Sequence, residues 1–205
     1  MKLLLASRNP HKAREFGALL EGLEIVALPD GVELPPETGD TFEANALPKA
    51  RAAAAATGHI AFADDSGIEA AALGGAPGVR SARFAGADAS DADNLARLVA
   101  EAPACSALAY VCVIALIDPR TGEERTFEGR CTGTMAAEPR GSGGFGYDPI
   151  FVPDDRDDGR TMAQLSQAEK DAISHRGRAA RALLEHLRRT GHGAASAAGS
   201  RRVAR

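Results

Sequence analysis

The stretch "IAFADDSGIEA" (residues 60–70) carries a mostly apolar run into two adjacent acids, Asp64 and Asp65, at the end of what reads as a buried strand. Successive residues of an extended strand point to opposite sides, so at most one of these carboxylates faces a given cleft, and their roles must differ. Two carboxylates this close repel, and a nearby cation is the cheapest way to keep both ionised. Hard carboxylate oxygens suit Mg²⁺, which keeps several waters and takes one or two protein carboxylates together with substrate phosphates. Taken alone, "DDSG" equally describes a turn in which one aspartate caps the following backbone.

Three other segments offer groups for an anion or a nucleobase. In "SRNPHK" a strand ends, Asn9 and Pro10 begin a helix and Lys12 follows, so unpaired N–H groups and a cation converge. The segment lacks G-x-x-x-x-G-K-[ST], and a capped surface helix would read the same way. Asn45 and Lys49, four apart, share one helix face, with Phe42, Ala46, Ala50 and Ala53 on the opposite, buried side. "GSGGFGYD" allows close backbone approach at its glycines; Phe145 and Tyr147 either stack on a base or form the core of a tight turn. "EKDAISHRG" places Lys170, His175 and Arg176 near a helix junction, as donors to a base and phosphates or as surface charges.

The elements that must position these groups follow from periodicity and punctuation. "KLLLA" reads as a first strand, followed by a helix from Asn9 to about Leu20, and "EIVAL" as a second strand. After the loop "GVELPPETGDT", the pattern D-x-x-E from Asp40 to Glu43 predicts the cap of an alanine-rich helix that ends before Gly58 and is kinked at Pro48. "HIAFA" is a third strand, "GGAPGVRSARFAG" a glycine-punctuated loop and "DADNLARLV" a helix. "ALAYVCVIALI" and "RTFEGRCTGTM" have strand composition and pair as long neighbours across "DPRTGEE". Ser166 and Glu169 form a capping box before one helix, and "RAARALLEHL" makes another. Helices and strands mix without a strict βαβ repeat, which predicts an α/β fold with a mixed sheet.

The chain of 205 residues is long enough to bury a core without staples. Its net charge is -4; residues from Arg188 onward hold five arginines and no acids, leaving -9 on the body, which should repel nucleic acid. The tail, 190–205, reads as disordered, with a solvated end favoured over contact with RNA or lipid. Cys105, Cys112 and Cys131 form no C-x-x-C pair and read as reduced thiols of a cytoplasmic protein. The longest apolar run is too short to span a bilayer, and the start reads as no signal peptide.

Together "SRNPHKAREF", "ETGDTFEANALPKA", "ADDSGIEAAALGGAPGVRSARFAG", "GGFGYDPIF" and "EKDAISHRGRA" resemble, in collinear order over residues 3 to 188, the noncanonical purine nucleoside triphosphate pyrophosphatases, the inosine triphosphate pyrophosphatase family. The resemblance implies an elongated two-lobed α/β fold, a long curved mixed sheet flooring a central cleft, one domain over residues 1–189, and a homodimer. It implies hydrolysis of ITP, dITP and XTP between the α and β phosphates, with Mg²⁺ as cofactor. Ser7, Asn9 and Lys12 fall on its substrate-binding first loop, with Glu15 completing the pattern, and Arg8 stands where a small residue is common, as a phosphate contact or a solvent-facing side chain. Glu37 falls on a metal-binding acid, Asp65 on the metal-linked general base and Ser66 on a substrate contact. Asn45 and Lys49 match the polar face of the second helix, and Phe145, Gly146, Tyr147 and Asp148 the nucleotide-binding loop. Lys170, His175 and Arg176 match phosphate and base contacts, Arg176 or a backbone N–H selecting O6 against the adenine amine. Asp64 is expected to support its loop or to bind metal through water. Ala44, where the family often has Glu, shifts the metal role to Glu37 and Asp65. Alternatives are a Maf-like pyrophosphatase for modified pyrimidine nucleotides and a non-catalytic nucleotide-binding module. Neither a membrane nor a stable nucleic-acid partner is expected.

Overall fold

The leucine run forms β1 (Lys2–Leu5), which lies between β2 (Glu24–Val26) and β3 (Ala61–Ala70) and is parallel to both. Leu3, Leu4 and Leu5 are buried, as a parallel strand covered on both faces requires. β4 (Ala107–Asp118) and β5 (Glu123–Met135) pair antiparallel across the expected turn. β4 also pairs antiparallel with β3, and β6 (Phe151–Pro153) with β5, giving one six-stranded mixed sheet in the order β2-β1-β3-β4-β5-β6. This computed structural model describes residues 1–190; of the segment predicted to be disordered, only Thr190, the C-cap of the last helix, falls within them.

The helices are α1 (Pro10–Leu19), α2 (Phe42–Thr57), α3 (Asp91–Glu101), α4 (Gln167–Ile173) and α5 (His175–Arg189). α1 and α5 cover one face of the sheet, where Phe16, Leu20 and Leu183 meet Phe62 and Ile114. α2 covers the other through Ala46, Ala50 and Ala53 against Ala61, Ala63 and Ala115. A further cluster, in which Ile68, Leu108, Tyr110, Met135 and Phe151 pack with Leu98 of α3, occupies the far end of the same long strands. The acids of β3 lie between these packed regions, after Ala63 and before Ile68.

Two glycines on the strands bring other elements onto this point. A Cβ at Gly129 of β5 would collide with the carbonyl of His175 and the amide of Ala179, so only bare backbone lets the start of α5 reach the sheet. At Gly67 a Cβ would meet the carbonyl of Gly78 and the hydroxyl of Ser81, so the 3-10 helix Gly78–Arg83 crosses β3 immediately after the acids.

Several local expectations are corrected. β3 does not stop before the acids: Asp64 lies opposite Ile114 and Asp65 opposite Val113 in a ladder that continues to Ala70 opposite Leu108. The cap of α2 is Thr41, whose hydroxyl accepts from the Ala44 amide at 3.1 Å, and not Asp40 one residue earlier; α2 continues through Pro48 to Thr57. The expected second strand contracts to three residues, a 3-10 helix, Ala71–Leu73, precedes the glycine-punctuated loop, and the loop itself contains another, Gly78–Arg83.

Candidate active site

β1 ends at Leu5, opposite Phe62, so the edge of β3 beyond that point has no strand neighbour until Pro77 bridges to Glu69. A cleft of about 980 Å³ opens along this edge, at the carboxyl end of a parallel strand where the sheet changes direction. Its walls come from residues 6–9, 11–12, 34–37, 65–68, 81–83, 145–148 and 174–176, with Lys49 and Lys170. Every site residue expected from the sequence lies on this wall except Asn45.

The two acids take opposite sides of the sheet, as strand geometry requires. Asp64 faces α1 and α5: Lys12 Nζ is 2.9 Å from Oδ1, Arg176 reaches Oδ2 at 3.5 Å, and the carboxylate is fully buried. Burial alone would raise its pKa, but the charges of Lys12, Arg176 and Lys49 outweigh burial and hold it at about 2. Its carbonyl accepts from Lys49 Nζ at 2.8 Å and from Lys12 Nζ at 3.3 Å. Asp64 therefore serves as the anion around which three segments are tied, and it lies behind the cleft wall.

Asp65 faces α2 and the cleft. Its Oδ2 accepts from Asn45 Nδ2 at 2.9 Å and its Oδ1 from the Ser66 amide at 3.1 Å. Burial pushes the carboxyl above the ordinary aspartate range, Glu37 adds to this, and Asn45, Lys49 and Lys12 pull against it. Asn45 is itself fixed, since its Oδ1 accepts from the Gly39 amide at 2.7 Å. Asn45 and Lys49 are thus buried rather than an exposed polar face: α2 turns them inward, one to orient Asp65 and the other to pair with Glu37.

In the first loop Asn9 caps α1, accepting from the His11 amide at 2.8 Å, while its own amide donates to Ser7 Oγ at 3.1 Å. Arg8 is solvent-exposed, and no open anion site is formed around it. Its guanidinium donates to the carbonyls of Pro29 and Val32, at 3.0 and 2.9 Å, and ties the loop down.

At the other end of the cleft the two aromatics of "FGYD" part company. Tyr147 is buried and donates its hydroxyl to the Ser81 carbonyl at 2.7 Å, whereas Phe145 is 47% exposed with Lys170 Nζ 4.7 Å from its ring centre. Phe145 alone offers a stacking platform. Asp148 organises the loop, accepting from Lys170, from Tyr110 Oη at 3.1 Å and from the Phe145 amide at 3.0 Å. Gly146 donates its amide to Asp91 at 3.0 Å. Arg176 is engaged by Glu15, Asp64 and Ser66, and its guanidinium also lies 6.0 Å from the centre of the Phe145 ring.

His175 stacks on Tyr110, ring centres 4.7 Å apart, and burial with the neighbouring charges of Arg176 and Lys170 holds its pKa well below the ordinary histidine value. The folded protein therefore binds this proton less readily than the unfolded chain. The stability linked to neutral His175 is full above about pH 6.5 and is lost as pH falls below it. Unfolding measured between pH 7 and 5 should show a loss of up to about 1.4 kcal/mol per pH unit that His175→Gln removes. An identical slope in that variant would contradict the assignment.

Sequence reasoning assigned no role to Arg83, Asp91 or Tyr110, all of which line the cleft. Arg83 and Asp91 sit in or beside segments read only as loop and helix, and Tyr110 is hidden in an apolar run; Tyr110 and Asp91 are marked only by partners distant in sequence.

Glu37 and Asp65 both line the cleft; Glu37 pairs with Lys49, whose charge also acts on Asp65. Among the described residues no three His, Cys, Asp or Glu side chains gather as a metal site. A pair of acids nonetheless fits a hard cation that takes its remaining ligands from water and phosphate, and a cation there would relieve the cost of ionising Asp65.

A mixed α/β sheet with paired acids and basic side chains from separate segments on one open strand edge is the architecture of a nucleotide-sized, phosphate-handling cleft. The chain belongs to the Ham1 family, whose model matches residues 3–186. A protein of Mycobacterium tuberculosis named dITP/XTP pyrophosphatase is 52% identical over 200 residues, covering 91% of this chain and 95% of its own. A protein of the same name from Symbiobacterium thermophilum is 53% identical over 191 residues, covering 91% and 94%. The solved structure of a HAM1 protein from Coxiella burnetii superposes with a TM-score of 0.82 at 42% identity, covering 92% of this chain and 99% of that one.

Proposed function

We propose that this chain is a nucleoside triphosphate pyrophosphohydrolase that converts ITP, dITP and XTP to the monophosphate and pyrophosphate, removing deaminated purines from the nucleotide pool. One observation carries the reading: Asp65, Glu37, Lys12 and Lys49, from four separate segments, share one cleft wall. Membership of the Ham1 family, with relatives named dITP/XTP pyrophosphatase, agrees with it.

The basic side chains have to hold a triphosphate against an acidic body. Lys12, Lys49 and the capped start of α1 face the phosphates, and Phe145 with Lys170 receives the base. Asp65, oriented by Asn45, accepts the proton of the water that attacks the α phosphorus; its raised pKa brings it closer to the operating pH of a general base. Mg²⁺, held by Glu37 and Asp65, would offset phosphate charge and lower the pKa of a bound water.

Resemblance supports three further readings. The chain functions as a homodimer; residues 1–189 act as one two-lobed unit; and its place is the cytoplasm. Its three free cysteines fit that compartment, and among the described residues no helix is long and apolar enough to cross a membrane.

The test is kcat/KM over a nucleotide panel. ITP, dITP and XTP are expected to exceed ATP and GTP by about a hundredfold, the order of discrimination that a few polar contacts to a base supply. Equal values would remove the house-cleaning role, and preference for modified pyrimidine triphosphates would favour the Maf-like alternative.

A further inference from the structure

Six cations face the cleft, and five of them are already held by carboxylates. Arg8 lies by Asp30, Lys12 by Asp64, Lys49 by Glu37, Lys170 by Asp148, and Arg176 by Glu15 and Asp64. Arg83 differs from these five. Among the described residues it forms no ion pair, and one guanidinium nitrogen donates to the main-chain carbonyl of Glu37 at 3.3 Å. That is a weak bond to a neutral acceptor, so Arg83 can exchange it for an anion without leaving a carboxylate unpaired.

Arg83 is also held firmly in place. Asn94 of α3 donates to the Ala82 carbonyl at 3.2 Å and accepts from the Ala85 amide at 2.7 Å. Arg97 donates to the Phe84 carbonyl and lies over the Phe84 ring. The backbone on both sides of Arg83 is therefore fastened to α3, and its side chain reaches toward the Glu37 and Lys49 end of the cleft. The nucleoside end is marked separately by Phe145, with Lys170 and Arg176 near its ring.

We propose that Arg83 is a further substrate-binding residue, which leaves the Glu37 carbonyl to grip the phosphates that depart as pyrophosphate. A guanidinium fork matches phosphate oxygens bidentately, and its fixed charge is placed where negative charge grows as the α–β bond breaks. The proposal rests on the pyrophosphohydrolase reading above.

The test uses the full chain as wild type, Arg83→Gln and Arg83→Lys, with pyrophosphate and IMP as separate titrants and ITP as substrate. Arg83→Gln is expected to weaken pyrophosphate binding about ten- to a hundredfold and to raise KM for ITP, with IMP binding and melting temperature near those of wild type. Arg83→Lys, which keeps the charge, should recover part of the pyrophosphate affinity. Unchanged pyrophosphate affinity in Arg83→Gln, or a parallel loss for IMP, overturns the proposal. So does a lowered melting temperature in both variants with no recovery by lysine, which would assign Arg83 to packing. Wild type that hydrolyses ITP beside an Arg83→Gln variant that binds pyrophosphate normally overturns this inference alone. Wild type that neither binds pyrophosphate nor hydrolyses ITP removes the proposed function and this inference with it.

Discussion

Asp65→Asn should reduce ITP turnover by about a thousandfold while leaving the nucleotide bound, because it removes the general base and a carboxylate that would hold Mg²⁺ but leaves the basic side chains that grip the phosphates. The amide keeps the shape of the carboxylate, and its oxygen can still accept from Asn45, so the cleft wall is preserved. The Ser66 amide loses its charged acceptor, a small change beside the loss of the base. Lys12 and Lys49 keep their own carboxylate partners, Asp64 and Glu37, and remain in place for the phosphates. Single-turnover kinetics and calorimetric binding of ITP separate the two effects. Turnover near wild type would refute the role of Asp65 as base.

The same substitution one residue earlier should act on folding instead. Asp64→Asn is expected to cost about 3 kcal/mol of stability, since it leaves Lys12 and Arg176 without the buried anion that pairs them. Turnover should fall as well, because both cations lose their common anchor. The contrast with Asp65→Asn is the sharper test. Burial raises the pKa of Asp65, so its ionised form is disfavoured by the fold, and removing that charge should leave stability unchanged or slightly higher. Asp64 is held at about 2, so its ionised form is favoured, and removing that charge should destabilise. Urea unfolding of the two variants at neutral pH reads this directly; equal stabilities would contradict the division of labour between the acids.

The difference between these neighbours was half legible in the sequence. Strand geometry alone says that adjacent acids face opposite ways, and they do. That they sit in the middle of a strand could not be read, because aspartate disfavours strands and "DDSG" carries turn chemistry. The ladder to β4 continues past them, while Lys12, Arg176, Lys49 and Asn45, between 15 and 112 residues away, take up their charge and polar groups. Local signals fared better. The Asn9 cap, the Ser166–Glu169 capping box and the long β4–β5 pair each depend on residues close in the chain, and each is present. The inward turn of Asn45 and Lys49, and the parting of Phe145 from Tyr147, depend on partners from other elements that periodicity does not register. The family resemblance named the other lysines and arginines of the cleft wall but not Arg83, whose lack of an ion pair among the described residues emerges only when those of its neighbours are laid out in space.

The central claim is that water attacks the α phosphorus of a triphosphate held between Asp65 and the basic wall. Hydrolysis of ITP with Mg²⁺ in water enriched in heavy oxygen tests it most directly. The account predicts equal amounts of IMP and pyrophosphate, with the label in IMP and none in pyrophosphate; label in pyrophosphate or in orthophosphate, or IDP as the product, would contradict it.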